Sequence, residues 1–264
     1  MPQPSVSVVL AKLRAHFGDQ LFVRTGQTMQ PTNRATQIFK AIDPALSVIA
    51  QVSREMPVFI PATAVRRFRV AIADGGKLIL LPKLLHKLEA EAPNVTIEVI
   101  ATGFDTSDSL ESGDVDLSIG LMQPRKPSLF SQVLFEDGLG CIVSLQMGSR
   151  RLTRTQVCAA GHVMVEVKGT STGIVAKALE NAKITPRIAA VVPTYFGVAE
   201  AVAQTNLIAI VPLRMAEVLS VDHPIKVLAL PFKSPMYKVN QHWHRRMHED
   251  AGHKWLRQQI FELF

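Results

Sequence analysis

Apolar side chains recur at Val6, Leu10, Leu13 and Phe17, at spacings of three and four, with Ser5, Ser7, Lys12 and Arg14 between them. That pattern predicts an amphipathic helix over residues 3–17. Gly18-Asp19 stops it, because glycine accepts the left-handed conformation that helix C-termini usually need. Leu21-Phe22-Val23-Arg24-Thr25-Gly26 is strand-like and runs into a glycine turn, and Pro31-Thr32 precedes a second helical pattern. From residue 32 to about 56 the apolar face is Ile38, Ala41, Ile42, Ala45, Leu46, Ile49 and Val52, with Thr32 as N-cap. Pro44 falls inside that run and predicts a kink or break. Pro57 and Pro61 end it and mark a boundary.

Beyond the boundary the pattern changes period. Phe68-Arg-Val-Ala-Ile-Ala alternates as a strand, Asp74-Gly75-Gly76-Lys77 reads as a loop, and residues 78–92 read as a helix. Residues 96–100 and 115–119 are the next strands, separated by a short helix near 107–112. A further strand covers the region of Phe135 and Cys141-Ile-Val-Ser144. A second set of similar units starts near His162-Val-Met-Val-Glu-Val. It has a helix after Gly169-Thr170-Ser171-Thr172-Gly173, strands at 188–192 and 207–211, and a helix at 195–204 between those strands. Strands at 227–230 and 237–243 and a terminal helix at 254–264 complete the chain. Strands alternating with helices of ~10–15 residues predict two α/β lobes of mostly parallel sheet. Two such lobes enclose a cleft of the kind that holds small ligands.

Charge sharpens this division. Up to Arg69 there are nine basic side chains against Asp19, Asp43 and Glu55, which leaves +6 of the net +7 in the first quarter of the chain. A basic head beside a near-neutral α/β body suits polyanion binding by the first and small-molecule binding by the second. The alternative for the head is a merely solvated basic face. No apolar run reaches the ~18 residues of a membrane span, and no signal core follows Met1, so a cytoplasmic chain without membrane contact is expected. Cys141 and Cys158 form no metal-ligand pattern and are expected to be small buried hydrophobes.

The stretch Gln3-Pro4-Ser5-Val6-Ser7…Leu10…Leu13-Arg14…Phe17-Gly18-Asp19…Leu21-Phe22-Val23-Arg24-Thr25…Pro31-Thr32 resembles the recognition helix and wing of the LysR-type transcriptional regulators. The body continues the likeness. Its motifs include Phe68-Arg-Val-Ala-Ile, Leu81-Pro82, Ala92-Pro93, Leu134-Phe-Glu-Asp137, Ala209-Ile-Val-Pro212 and Trp243-His-Arg-Arg246. The most specific is Leu110-Glu-Ser-Gly-Asp-Val-Asp-Leu-Ser-Ile-Gly120. The likeness implies a partial winged helix-turn-helix at 1–31 and a linker and dimerisation helix at 32–60. It further implies a two-lobed, periplasmic-binding-protein-like (type 2) effector domain at 66–248, with lobe I at about 66–145 and 224–248 and lobe II at about 146–220. A C-terminal helix at 249–264 follows. The style is that of nodulation and aromatic-catabolism regulators, which implies a small-molecule inducer of aromatic or phenolic character. Implied partners are double-stranded promoter DNA, a second copy in a dimer or tetramer, and RNA polymerase where the regulator activates.

On the DNA side the resemblance assigns Gln3, Pro4, Ser5 and Ser7 to base edges and Lys12, Arg24 and Thr32 to the remaining contacts. A helix opening with small hydrogen-bonding residues can enter the major groove, and basic side chains can meet phosphates. The same helix could also be a surface helix that touches nothing. On the effector side the strand-end loops carry the candidates, because helix N-termini there point N–H groups outward. These are Asp74, Gly75 and Gly76 with Lys77; Thr102, Gly103 and Phe104; Gly169, Thr170 and Ser171 with Thr172; and Thr194, Tyr195 and Phe196. For any one of them a simple helix cap is the competing role. Asp74 sits awkwardly for an acidic ligand, so an uncharged or basic group is expected opposite it.

His242, His244, His248, His253 and Asp250 lack a completed ligand set, so no metal is expected. Asp114 and Asp116 lie in the strongest structural motif and are expected to be structural rather than catalytic. There is no nucleophile elbow and no phosphate loop, so the chain is not expected to be an enzyme or to need a cofactor. A helix-turn-helix needs helices before its reading helix, so about 20 residues are expected ahead of Gln3 in a complete member. Met1 is accordingly expected to be an internal methionine or a genuine truncation. The competing function is then a ligand-binding and dimerising fragment without autonomous DNA binding.

Overall fold

The computed structural model describes residues 3–26, 28–54, 58–122, 126–166 and 172–264. It divides into two compact units, Met1–Val58 and Phe59–Phe264. In the first, α1 (Gln3–Phe17) ends at Gly18, whose φ of +61° is the left-handed stop read from the sequence. β1 (Phe22–Thr25) and β2 (Thr28–Pro31) pair antiparallel as a hairpin. α2 (Asn33–Arg54) follows, capped as expected by Thr32, whose Oγ1 accepts the Ala35 N–H at 3.1 Å. The helix runs through Pro44 without a break. Proline removes one N–H from the ladder, and the turns on either side of it remain hydrogen-bonded.

The second unit begins with β3 (Arg66–Ile72), α3 (Asp74–Glu91), β4 (Val95–Ala101), α4 (Thr106–Ser112), β5 (Leu117–Gly120) and β6 (Leu129–Asp137). After Gly138 come β7 (Leu139–Ser144), α5 (Arg154–Ala159), β8 (Gly161–Val165), α6 (Thr172–Asn181) and β9 (Arg187–Val192). Then follow α7 (Val198–Ala203), β10 (Ala209–Pro212), α8 (Leu213–Asp222), β11 (Ile225–Leu228), β12 (Tyr237–His244) and α9 (Ala251–Phe261). Lobe I is a five-stranded sheet, β4-β3-β5-β12-β6, with β3 parallel to both neighbours and β12 antiparallel to both of its own. Lobe II holds β10-β7-β11 and the parallel pair β8-β9, joined by a parallel bridge between His162 and Ile208 at the foot of β10. Its order β9-β8-β10-β7-β11 repeats the wiring of lobe I.

The lobe boundaries differ from the sequence reading. Residues 139–144 and 225–228 belong to lobe II, because β7 pairs with β10 and β11 and not with the lobe I sheet. The crossings therefore fall at Gly138 and after Leu228, instead of near residues 145 and 224. One apolar run is in fact two strands, β6 and β7, and alternation does not reveal which sheet a strand joins. Asp74-Gly75-Gly76-Lys77 is likewise not a loop but the first turn of α3. The α5 and α8 helices were not anticipated: α5 spans only six residues, and α8 starts directly where β10 ends at Pro212.

The lobe I core is Phe68, Val70, Ile72, Leu80, Leu84 and Leu117 under α3, with Trp243, Leu256 and Ile260 from β12 and α9. The quoted motifs meet here. Gly113, at φ +95°, ends α4 in the left-handed region, and the Arg246 guanidinium donates to the carbonyls of Ser112 (2.9 Å), Glu111 and Leu110 (both 3.3 Å). The Asp116 carboxylate accepts the Arg69 N–H at 2.8 Å, a structural role as expected. Cys141 is fully buried and its thiol is pushed up to about 12 by burial. Cys158, expected to be buried, is exposed. It neighbours the buried Val157 on α5, and adjacent helical positions face different ways. Among the described residues no helix is long and apolar enough to cross a membrane.

Candidate functional site

Two regions gather the candidate residues, one in each unit. In the first unit Gln3, Pro4 and Ser5 form the opening turn of α1, and Ser7 and Lys12 are exposed further along it. Arg14 reaches back from α1 to donate to the carbonyls of Gln20 (2.7 Å) and Phe22 (3.2 Å). Asp19 accepts the Leu21 N–H (2.6 Å) and the Thr32 hydroxyl (2.7 Å), and these two bonds hold its carboxyl below the usual range. Leu21 is buried under this clasp. Helix, hairpin and the start of α2 are thus tied by local hydrogen bonds. The Thr32 hydroxyl is spent on Asp19 and on capping α2. Arg24 stands exposed on the hairpin, its Nε donating to the Gly26 carbonyl at 3.2 Å. The Asp19–Thr32 clasp escaped sequence reasoning, which saw the two residues as a helix stop and a helix start.

In the second unit the lobes meet where α3 begins. The Asp74 carboxylate (Oδ2) accepts the backbone N–H of Tyr195, in the loop between β9 and α7, at 2.7 Å. Its other oxygen lies 3.7 Å from the Lys77 Nζ. Gly75 faces lobe II: a Cβ there would sit in ordinary contact, 3.4 Å from the Met215 sulfur of α8 and 3.9 Å from the Tyr195 ring. At Gly76 a Cβ would lie 2.9 Å from Ile72. The glycine that the packing requires is thus Gly76, which lets the first turn of α3 lie against Ile72 of β3 in the same lobe.

Beside this contact lies a cavity of about 60 Å³. Gly75, Gly76 and Tyr195, three of the candidates, line it together with Phe135, Tyr237 and Phe264. Asp137, at the end of β6 where the chain leaves lobe I, is its acidic member. Asp137 is 4% exposed. Its Oδ1 accepts the N–H groups of Gly138 (2.8 Å) and of Arg214 (3.3 Å) in the first turn of α8. The Tyr237 hydroxyl lies 3.4 Å from Oδ2 and 3.3 Å from the Gly138 carbonyl. Burial raises the Asp137 pKa, opposed by the Gly138 and Arg214 amides and by the Arg214 charge; burial likewise raises that of the Tyr237 hydroxyl.

The remaining candidates lie elsewhere. Phe104 and Phe196 are 90% and 94% exposed on the loops after β4 and β9. Thr102, Gly103, Phe104, Thr194 and Phe196 are not among the lining residues. Gly103 and Thr106 close a turn at the start of α4, and the Thr194 Oγ1 accepts the Phe196 N–H. Gly169, Thr170 and Ser171 fall outside the described residues. Asp137, Tyr237, Phe135 and Phe264 were missed. The one available signal was Leu134-Phe-Glu-Asp137, a strand that ends on an acid just before a glycine.

The C-terminal histidines have separate structural jobs. His248 stacks on Phe130 at 4.3 Å, the His253 ring bonds the Asp116 carbonyl at 2.9 Å, and His242 is buried in β12. Among the described residues no group of three potential ligands is placed to hold a metal.

Comparison with known proteins places both regions. Residues 62–264 match the family model of the LysR substrate binding domain, and residues 1–36 that of the bacterial regulatory helix-turn-helix protein, lysR family. The second match corrects the expectation of a truncated head. The family's helix-turn-helix model is matched from residue 1 onward, and the segment is held by its own Arg14, Asp19 and Thr32 hydrogen bonds. The chain is 31% identical to the HTH-type transcriptional activator NahR of Pseudomonas putida, over 100% of this chain and 89% of that protein. It is 29% identical to nodulation protein D 2 of Sinorhizobium fredii, over 99% of this chain and 85% of that protein. A probable transcriptional regulator from Pseudomonas aeruginosa shares the fold at a TM-score of 0.69 and 23% identity, over 97% of this chain and 87% of the other. Arg66, Arg67 and Arg69 lie on β3, so the basic excess read from the sequence is divided between head and body. A helix-and-hairpin head followed by a two-lobed α/β body is joined in one chain, and the chain belongs to the LysR family of DNA-binding transcriptional regulators.

Proposed function

We propose that this regulator senses a small molecule in the cavity between its lobes and transmits binding through the Asp74–Tyr195 contact. The observation that carries this reading is the cavity itself, lined by residues of both lobes. A ligand there touches both lobes at once, so it favours one lobe arrangement over another, which is the differential affinity that a switch requires. Asp74, Gly75, Gly76 and Tyr195 shape the site; Thr102, Gly103, Phe104, Thr194 and Phe196 stand on neighbouring loops at the strand ends. Gln3, Pro4, Ser5 and Ser7 would read base edges, with Lys12 and Arg24 meeting phosphates and Thr32, its hydroxyl taken by Asp19 and by the α2 cap, holding the head together from within. Phe39, Ile42, Leu46 and Ile49 form an exposed stripe on α2 at spacings of three and four, which suits pairing with a second copy in a dimer or tetramer. Contact with RNA polymerase follows if the regulator activates.

The test is site selection from a random duplex pool, followed by footprinting with small molecules found by thermal shift. Binders of the effector site should lose affinity in Ala73→Leu, which fills the cavity, and should alter the footprint of the unmodified protein. Binders that are indifferent to Ala73→Leu would place the sensing site elsewhere.

A further inference from the structure

Packing does little to aim the hairpin of the first unit. Among the side chains described in residues 6–50, Leu21 alone is buried, at 5% exposed. It stands at the root of the hairpin, immediately before β1, with a φ of +58°. A bulky L-residue pays sterically for that left-handed conformation. Across Leu21 the Phe22 N–H donates to the Gln20 carbonyl at 2.6 Å, a three-residue turn whose positive-φ form is rare and strained. Such a conformation persists only where its surroundings hold it.

Three groups hold it. The Asp19 Oδ1 accepts the Leu21 N–H at 2.6 Å and the Thr32 hydroxyl at 2.7 Å. The Leu21 carbonyl accepts the Thr32 N–H at 2.9 Å. From α1 the Arg14 guanidinium donates to the carbonyls on either side of Leu21, those of Gln20 and Phe22. Thr32 directly follows β2, so one carboxylate oxygen joins the chain entering the hairpin to the chain leaving it. Asp19 also follows Gly18, the stop of α1, and the direction of the hairpin relative to α1 is therefore fixed at this point.

We infer that Asp19 is a positioning residue for DNA binding: it holds the hairpin that carries Arg24 at one angle to α1, so that helix and hairpin meet the duplex together. This rests on the reading of Arg24 as a phosphate contact. The sign of its effect separates positioning from charge. By charge alone, removing a carboxylate from a DNA-binding head tightens its hold on a polyanion. Removing a positioning carboxylate weakens it, because a hairpin free to move must be ordered on binding.

The experiment uses the full chain and a labelled random-sequence duplex, whose binding rests on phosphate contacts, followed by fluorescence anisotropy over a series of salt concentrations. Arg24→Ala should lower the slope of log K against log salt by about 0.9, the value of one phosphate contact. Asp19→Ala leaves Arg24 in place, yet should lower the slope nearly as far and weaken binding about threefold or more. The double variant should bind within about twofold of Arg24→Ala, because a contact already lost cannot be lost again. Asp19→Asn keeps an acceptor for both donors, and should bind within about twofold of the unmodified protein or more tightly.

Asp19→Ala binding as tightly as the unmodified protein, or weakly with an unchanged slope, overturns the inference. So do additive losses in the double variant, or an asparagine variant as weak as the alanine one. Amide exchange reads the fold alongside: if Asp19→Ala strips α1 of its protection, the clasp is a folding contact and the inference falls. Arg24→Ala separates it from the underlying reading. If that variant leaves the slope unchanged, the hairpin makes no phosphate contact and both statements fall. If it lowers the slope and Asp19→Ala does not, Arg24 stands and only the role of Asp19 falls.

Discussion

Replacing Asp74 tests whether the two lobes are held as described. In Asp74→Ala the Tyr195 N–H loses the carboxylate that accepts it at 2.7 Å, in a place where the Asp74 side chain is only 21% exposed. An N–H left unsatisfied there costs about 1–3 kcal/mol. The loss of a carboxylate from the first turn of α3 adds about 0.3–1 kcal/mol. The Lys77 contact, at 3.7 Å and with the lysine 37% exposed, adds little once solvent screening is counted. The total is roughly 1–4 kcal/mol. For a domain of this size each kcal/mol moves Tm by about 2–4 °C, so the variant should melt roughly 3–16 °C lower. Asp74→Asn keeps an acceptor for the Tyr195 amide and should lose about a third as much. Calorimetry reads both variants, and amide exchange reads Tyr195 directly, where protection should fall by about tenfold or more for the alanine variant. If Asp74→Ala melts within about a degree of the unmodified protein, or if asparagine is as damaging as alanine, the contact does not hold the lobes.

Four further outcomes follow from other parts of the molecule. His242 and His253 are buried, and burial holds each at about 4, below the ordinary 6.5. Above pH 6.5 both are neutral whether folded or not; between pH 6.5 and about 4 the unfolded chain takes up protons that the native state refuses. The urea midpoint should therefore fall on going from pH 7 to pH 5, by roughly 3–4 kcal/mol of stability for the pair, and less in His242→Leu. Gly113→Ala places a Cβ against the Arg246 guanidinium at a φ of +95°, and should cost about 1–3 kcal/mol in the same assay. One thiol, Cys158, should react with a colorimetric disulfide reagent in the native protein and two in denaturant, because Cys141 is buried and protonated. Arg24→Ala should weaken binding to all DNA sequences together and lower the salt slope, whereas replacing Ser7 should alter sequence preference. Equal losses on selected and random DNA for both variants would overturn that division of labour.

What was legible in the chain itself was whatever depends on neighbours a few residues away. The stripe Val6, Leu10, Leu13, Phe17 specifies α1, Gly18 its stop, and Thr32 the cap of α2, because helix period, left-handed termini and N–H capping are all local. The alternation of strand and helix patterns specified two α/β lobes, and the block from Leu110 to Gly120 marked the turn that Arg246 closes. The tertiary structure decided everything that depends on which segments meet. It moved β7 and β11 into lobe II, since a strand's pattern encodes its faces and not its partners. It turned the Asp74 loop into a helix start, with Asp74 accepting the Tyr195 N–H and Gly76 pressed on Ile72, contacts that no local pattern encodes. It also joined Asp137, Tyr237 and Phe264 around one cavity, although they lie about a hundred residues or more from Asp137 in the chain. Period and capping are written within a turn of chain, whereas a cavity wall arises only when distant surfaces pack, so apart from the acid that ends Leu134-Phe-Glu-Asp137 its chemistry had no local signature to read.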